Sequence, residues 1–332
     1  MTDSATRCIA FDLEGPLTSQ DAAFDLMGLV AGGHAVFRAI SRYDDILALS
    51  NRPDYEPGDT LALIVPFLLR HRLGVADIER LAEAAPLVKG AREVMERLTA
   101  DGYQVCCITT TYDQYARHLT QRLGLPAERV ACTAFPIEEL RARLGDADMA
   151  AVDRVETALL KLDIERDEDR LRDLLDAFYW QDLPGTPLGE AVAAVKPIGG
   201  KRKVEAMGQF ARVWQFDLSR WAMVGDSITD NAVLAAVRDA GGLAVVFNGN
   251  RYALECGNVG VASLFLMDIL PLVKAWEDGG IDGARRFISR EAKQPAADGP
   301  HYHCLTGTDI AAAIEVHGRF RRLARQAAAA LG

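Results

Sequence analysis

The sequence predicts an α/β fold: a doubly wound, Rossmann-like parallel sheet with an inserted helical cap domain and a helical C-terminal extension. Three observations predict it. Short apolar runs ending in loop residues recur along the chain, helical patterns separate most of them, and two long stretches are helical with no strand among them. Strands alternating with helices indicate a parallel sheet, because each parallel connection must cross back over a face of the sheet.

The first run, Arg7–Asp12, ends in a carboxylate and then in Gly15 and Pro16, the pattern of a buried strand running into a loop. Comparable runs follow at Tyr103–Thr109, Arg129–Thr133, Trp221–Val224, Leu243–Phe247 and Val259–Ala262. Helical spacing fills Ala91–Leu98, Tyr112–Leu123 and Asn231–Ala240. Residues 18–87 are nearly all helical in pattern, with no convincing strand, and read as a cap inserted after the first strand. A second helical insertion spans about 136–194, and its charged run Asp163–Asp173 reads as a solvated helix face. The expected division is therefore a core of residues 1–17 and 88–276, a cap of 18–87 and an extension of 277–332. That extension holds a loop at Gln294–Gly299 and an alanine-rich helix over Thr308–Leu331.

Composition narrows the function. The chain has 332 residues, 49% hydrophobic and 25% charged, enough for one substantial core and a second lobe. A net charge of −10 disfavours general attraction to nucleic acid or an anionic membrane, so an anionic substrate needs a local positive site. No run of about 18 apolar residues exists, and the N-terminus lacks the regions of a signal peptide, so a cytoplasmic protein is expected. The six cysteines form no CxxC pair and read as reduced thiols. His301, Tyr302, His303 and Cys304 make a cluster of soft ligands, but the tight spacing and the lack of a second cluster argue against zinc.

Reactive groups of a parallel sheet gather at the carboxyl ends of its strands. Asp12 and Glu14 follow the first strand, Thr109, Thr110 and Thr111 end the second, and Asp226 and Asp230 follow the Trp221–Val224 strand. Lys203 stands after Gly199 and Gly200 at a helix start; Lys196 and Lys201 compete with it, and spacing favours Lys203. Together these residues suit phosphoryl transfer, in which positioning and neutralisation of charge do most of the catalysis. Asp12, Asp226 and Asp230 offer the hard oxygens that magnesium prefers. Lys203, Thr109, Thr110 and backbone N–H groups after Asp12 and Thr109 can bind phosphate oxygens, and Asp12 can attack phosphorus. In the cap, His34, Arg38, Arg42, Tyr43, Arg52 and Tyr55 are candidates for contact with the substrate.

Residues Phe11–Gly15, the strand ending in Thr109, Lys203, and the run Gly225–Asp230 resemble, in order and spacing, the four motifs of the haloacid dehalogenase superfamily. The cap after the first motif is similar to its phosphoserine phosphatase-like branch. The Asp12–Pro16 opening with a helix start at Asp21–Phe24 resembles a predominantly archaeal group of predicted phosphatases, some of them labelled as accessory subunits of an energy-converting hydrogenase. The resemblance covers residues 5–265, with 136–194 and the tail matching only loosely. It implies a HAD-like fold and a magnesium-dependent phosphomonoester hydrolase acting on a small, phosphoserine-like metabolite. Asp12 is then the nucleophile, Glu14 the acid/base, Thr109 and Lys203 phosphate ligands, and Asp226 and Asp230 metal-site residues, with the Glu14 backbone carbonyl also on the metal. Two positions depart from the pattern: Glu14 stands where Asp is usual and Pro16 where Thr is usual. Glu14 leaves open transfer to a small alcohol, and also a catalytically weak accessory protein. The charged helical runs are compatible with a homodimer.

Overall fold

The computed structural model describes residues 7–50, 52–291, 299–307 and 310–329. Seven strands form one sheet: β1 (Cys8–Phe11), β2 (Gln104–Tyr112), β3 (Val130–Thr133), β4 (Trp221–Gly225), β5 (Leu243–Phe247), β6 (Val259–Ala262) and β7 (His301–Cys304). Their spatial order is β3-β2-β1-β4-β5-β6-β7. β1 to β6 are parallel, and β7 pairs antiparallel with β6. The chain winds outward from β1 through β2 and β3, then returns to the other side of β1 at β4. This reversal opens a crevice at the carboxyl ends of β1 and β4.

The central strands bury both faces, as a sheet covered by crossover helices must. Alternation along each strand sorts the core into two layers. Ile9, Phe11, Val105, Cys107, Val224, Val245 and Phe247 point to one, and Cys8, Ala10, Cys106, Ile108, Met223, Ala244 and Val246 to the other. Full burial of one such Val, Ile or Phe contributes about 1.5–3 kcal/mol. All six cysteines are free, and Cys8, Cys106 and Cys107 are buried strand residues.

Between β1 and β2 lie helices from Ala22–Met27 to Val75–Ala84, and the segment from Ile137 to Ala194 carries helices as well. The two helical stretches pack into one lobe over the crevice. Arg70 donates to Asp153 at 2.6 and 3.1 Å, His71 Nε2 meets Glu156 at 2.8 Å, and the Tyr179 hydroxyl donates to the Leu63 carbonyl. The charged run begins in the turns before the Glu168–Ala177 helix and continues on that helix's exposed face, whose buried side carries Leu171 and Leu175.

The tail differs from the sequence reading. Residues 301–304, read as a soft-ligand cluster in an otherwise helical tail, form edge strand β7, with Tyr302 buried and its hydroxyl on the Asp268 carbonyl at 2.8 Å. The boundary expected at 277 falls inside one helix, Leu270–Glu291, which breaks at Gly279 and Gly280. The final helix runs Ala311–Ala329; Thr308 and Leu331 lie outside the described residues, as does the predicted loop except Gly299. No helix among the described residues is long and apolar enough to cross a membrane.

The final helix is anchored through Ala313, His317 and Phe320, all buried at helical spacing. His317 is fully buried and its Nδ1 accepts the Gly249 N–H at 3.1 Å, while burial, with His303 and His301 nearby, pushes its pKa down to about 3. Unfolding frees this imidazole to take a proton below about pH 6.5, which the folded site refuses. Its contribution is therefore complete above pH 6.5 and drains away as pH falls toward 3. The stability difference between the native protein and a His317→Asn variant, from urea titrations, is expected to shrink by about 2 kcal/mol between pH 7 and pH 5. A difference that stays constant over that window would contradict this assignment.

Candidate active site

β1 delivers Asp12 to the crevice, and the Asp12 N–H continues the strand pairing by donating to the Val224 carbonyl at 2.9 Å. β4 and its following turn deliver Asp226 and Asp230. One carboxylate oxygen from each of Asp12, Asp226 and Asp230 lies within 4.8 Å of the other two, and all three residues are buried. Such proximity demands a backbone without side chains in the way. A Cβ at Gly15, which has φ +94°, would lie 2.3–2.6 Å from the Asp226 carboxylate; one at Gly225 would lie 2.6 Å from Asp230 Cγ. These two glycines let the loop after β1 and the β4 turn close on one point.

Lys203 reaches this point from the helix Lys201–Trp214, fully buried, with Nζ 2.7 Å from Asp230 Oδ1 and 3.0 Å from Asp12 Oδ1. Lys201 pairs instead with Glu56, and Lys196 is exposed. Asp230 organises the turn: its Oδ2 accepts the N–H groups of Asp226 (2.9 Å) and Ser227 (3.1 Å), and the Ser227 and Thr229 hydroxyls are 2.9 Å apart. With one oxygen on Lys203 and the other on two amides, Asp230 holds the loop and the lysine in place. Asp12 Oδ1 accepts the Leu13 N–H at 2.7 Å and Lys203, which leaves Oδ2 for chemistry.

The charges are out of balance. Burial, then Asp230, pushes the Asp12 carboxyl up to about 8 against the pull of Lys203. Burial also raises Asp226, to about 6, with Arg321 opposing. Burial opposes the Lys203 charge, yet Asp12 and Asp230 outweigh it and hold the ammonium above its usual range. A buried trio of oxygen donors with surplus negative charge fits a hard divalent cation such as magnesium.

Thr109 is buried; its hydroxyl donates to Thr111 Oγ1 (3.1 Å) and accepts the Thr111 N–H (3.2 Å). The Thr110 hydroxyl donates to the Ile198 carbonyl at 3.1 Å. β2 continues to Tyr112, past the predicted end at Thr109, and its pairing with β3 shifts register between Ile108 and Tyr112. Such irregularities re-aim side chains next to sites. Among the amides expected to bind phosphate, Leu13 N–H is committed to Asp12 and Gly15 N–H to the Thr18 carbonyl at 2.7 Å.

The Glu14 carboxylate stands outside the acidic trio. Its Oε1 accepts the Ala22 N–H at 2.8 Å, so the extra methylene ties the loop to the first helix of the lobe. Burial and Asp21 raise its pKa well above the carboxylate range, although the residue keeps partial exposure through the cavity.

The cavity above Asp12 has a volume of about 290 Å³ and is roofed by Phe37, Ser41, Asp44, Leu61 and Ile78 of the lobe. Arg38, Arg42 and Arg52 are not among its lining residues. Arg42 pairs with Glu168, Arg52 lies 3.9 Å over the Trp180 ring and Arg38 lies 5.7 Å over Phe24. His34 stacks on Phe24, Tyr43 bonds Asp176, and Tyr55 bonds Asp44, so these side chains brace the lobe. Two lining residues that sequence reasoning missed, Arg321 and Arg325, come from the C-terminal helix. The signal was present as four arginines within residues 319–325 of an acidic chain.

Solved structures share this fold. A gene product of Archaeoglobus fulgidus superposes with a TM-score of 0.84 at 26% identity, covering 97% of this chain and 98% of that one. A substrate-bound phosphoserine phosphatase complex gives a TM-score of 0.53 at 16% identity over 80% of this chain and 97% of its own. A phospho-aspartyl intermediate analogue of phosphoserine phosphatase gives 0.52 at 17% over 80% and 98%. The chain has the haloacid dehalogenase-like fold. In that fold the crevice carrying Asp12 and Asp226 sits at the reversal of strand order, which is where this sheet opens. No protein-family profile and no curated protein sequence matches the chain.

Proposed function

We propose that the protein is a magnesium-dependent phosphomonoester hydrolase that acts on a small phosphorylated metabolite through an aspartyl-phosphate on Asp12. The observation that carries this reading is the convergence of Asp12, Asp226, Asp230 and Lys203 within hydrogen-bond or ion-pair reach at the strand-order reversal. The phosphatase fold supports it, and the likeness to an archaeal gene product supports a closer kinship with the predominantly archaeal group.

Asp12, Asp226 and the Glu14 backbone carbonyl would hold the magnesium ion, with Asp230 orienting from behind. When bound, the ion neutralises the charge that these carboxylates and a phosphoryl group bring together. Asp12 Oδ2 attacks phosphorus while the bond to the ester oxygen breaks. Glu14, whose burial favours the protonated carboxyl, gives its proton to the leaving oxygen. The resulting carboxylate takes a proton from water, whose oxygen attacks phosphorus, releases phosphate and restores Asp12. Lys203 and the Thr109 hydroxyl bind the phosphoryl oxygens throughout.

The test is phosphate release from a panel of phosphomonoesters with magnesium and after chelation by EDTA. Removal of the ion is expected to lower kcat/KM by about 1,000-fold, the size of several kcal/mol of lost charge stabilisation, with recovery on adding magnesium back. Turnover that persists undiminished in EDTA would remove the metal from the mechanism, and no release from any ester would remove the hydrolase.

A further inference from the structure

We infer that the C-terminal helix is part of the substrate site, and that Arg321 and Arg325 bind a second anionic group on the substrate. The inference rests on the phosphomonoesterase reading and narrows its substrate class to small phosphomonoesters carrying a further carboxylate or phosphate.

The cavity is lined by six acidic residues, Asp12, Glu14, Asp21, Asp44, Asp45 and Asp226, and Arg321 and Arg325 are the cationic residues among its lining. Lys203 lies beneath the floor, bound to Asp12 and Asp230. An acidic cavity repels every anion, so a substrate with two anionic groups requires cations beyond those under the reacting phosphoryl group. The C-terminal helix supplies them. Its buried stripe, Ala313, His317 and Phe320, crosses the sheet, and the same side continues as Arg321, Ala324 and Arg325 where the helix meets the cavity. Ala324 keeps the helix close, and the two arginines, four residues apart, present adjacent guanidinium groups.

Arg321 is fixed in place: Nη1 lies 2.7 Å from Asp226 Oδ2 and donates to the Asp226 carbonyl at 2.9 Å. That engages one terminal nitrogen and leaves the rest of the planar fork, which suits bidentate capture of a carboxylate or phosphate. Arg325 is exposed at the cavity rim, where a substrate would enter.

Three probes that differ only at the far end separate the sources of charge: 2-hydroxyethyl phosphate (neutral), phosphoglycolate (carboxylate) and ethylene glycol bisphosphate (phosphate). In the magnesium-loaded protein, Arg325→Ala is expected to lower the kcat/KM of at least one charged probe relative to the neutral one by about 10- to 100-fold, mostly through KM, the range of a charge-assisted hydrogen bond. Arg321→Ala should do the same with an added loss common to all three, because it also touches Asp226. Calorimetric binding of the charged probes to the Asp12→Asn protein should weaken by the same factor on adding Arg325→Ala. Unchanged ratios and unchanged binding would overturn the inference, as would a rise in rate on removing the arginines, which would make the helix a plug. Absence of turnover in the native protein would count against the hydrolase alone, since the binding arm reads the arginines without it.

Discussion

Asp12→Asn is expected to lower kcat on a generic ester such as p-nitrophenyl phosphate by about 10,000-fold or more, the scale seen when a catalytic nucleophile is lost. The amide cannot form the acyl-phosphate, and no neighbouring group can substitute: Asp230 is occupied by Lys203 and two amides, and Asp226 Oδ2 by Arg321. The fold should not suffer. Asp12 is buried beside two like charges that raise its pKa, so the neutral amide removes repulsion, while Lys203 keeps Asp230 at 2.7 Å. The melting temperature should hold or rise in the absence of magnesium. Retained turnover would displace Asp12 from the chemistry, and a large fall in melting temperature would show that its charge is structural.

The opposite pattern is expected for Lys203→Met. The side chain is similar in volume and apolar, but its loss leaves Asp12 and Asp230 buried with no cation between them. Removing one partner of a buried ion cluster costs about 3–5 kcal/mol because the remaining charge is uncompensated. Urea unfolding should register a loss of that size together with loss of activity. Adding Asp230→Asn to the variant should recover part of the stability and none of the turnover. An unchanged urea midpoint in Lys203→Met would contradict the buried, lysine-bridged arrangement of Asp12 and Asp230.

Much of this was legible in the chain. β1, β4, β5 and β6 are short apolar runs bounded by turn residues, and a parallel strand covered on both faces must look like that; edge strand β3 shows a similar run though half-buried. The positions of Asp12, Asp226 and Asp230 followed from their place after such runs. β2 was cut short because Thr110, Thr111 and Tyr112 look like the polar lead into a helix, although threonine and tyrosine also suit a half-buried strand. β7 was missed for a related reason. His301, His303 and Cys304 are only half-buried on an edge strand paired on one side, so the segment carries no apolar run and reads as a ligand cluster. The lobe arginines were misplaced because their partners are distant in sequence: Arg42 meets Glu168, and Arg52 meets Trp180. Arg321 and Arg325 belong to the same class. An alanine-rich helix shows that it will form but not where it will dock, and docking depends on the buried contacts of His317 and Phe320.

The two helical stretches above the crevice have a mechanical consequence. A flap built from one insertion swings on a single pair of crossings, here near Thr18 and Pro86, where the Thr18 hydroxyl donates to the Pro86 carbonyl at 2.8 Å. This roof is hung a second time, near Phe135 and Ile198: the Phe135 N–H donates to Asp113 at 3.1 Å, and the Ile198 N–H to Thr133 Oγ1 at 3.0 Å. The roof is also tied to the core between these crossings, by Arg202 on Asp59 and by the Tyr112 hydroxyl on the Leu61 carbonyl, so it is braced at several separate points and not hung from a single strap. Glu14, fastened to the Ala22 amide, adds one more such point, and it joins the loop after β1 directly to the first helix of the roof.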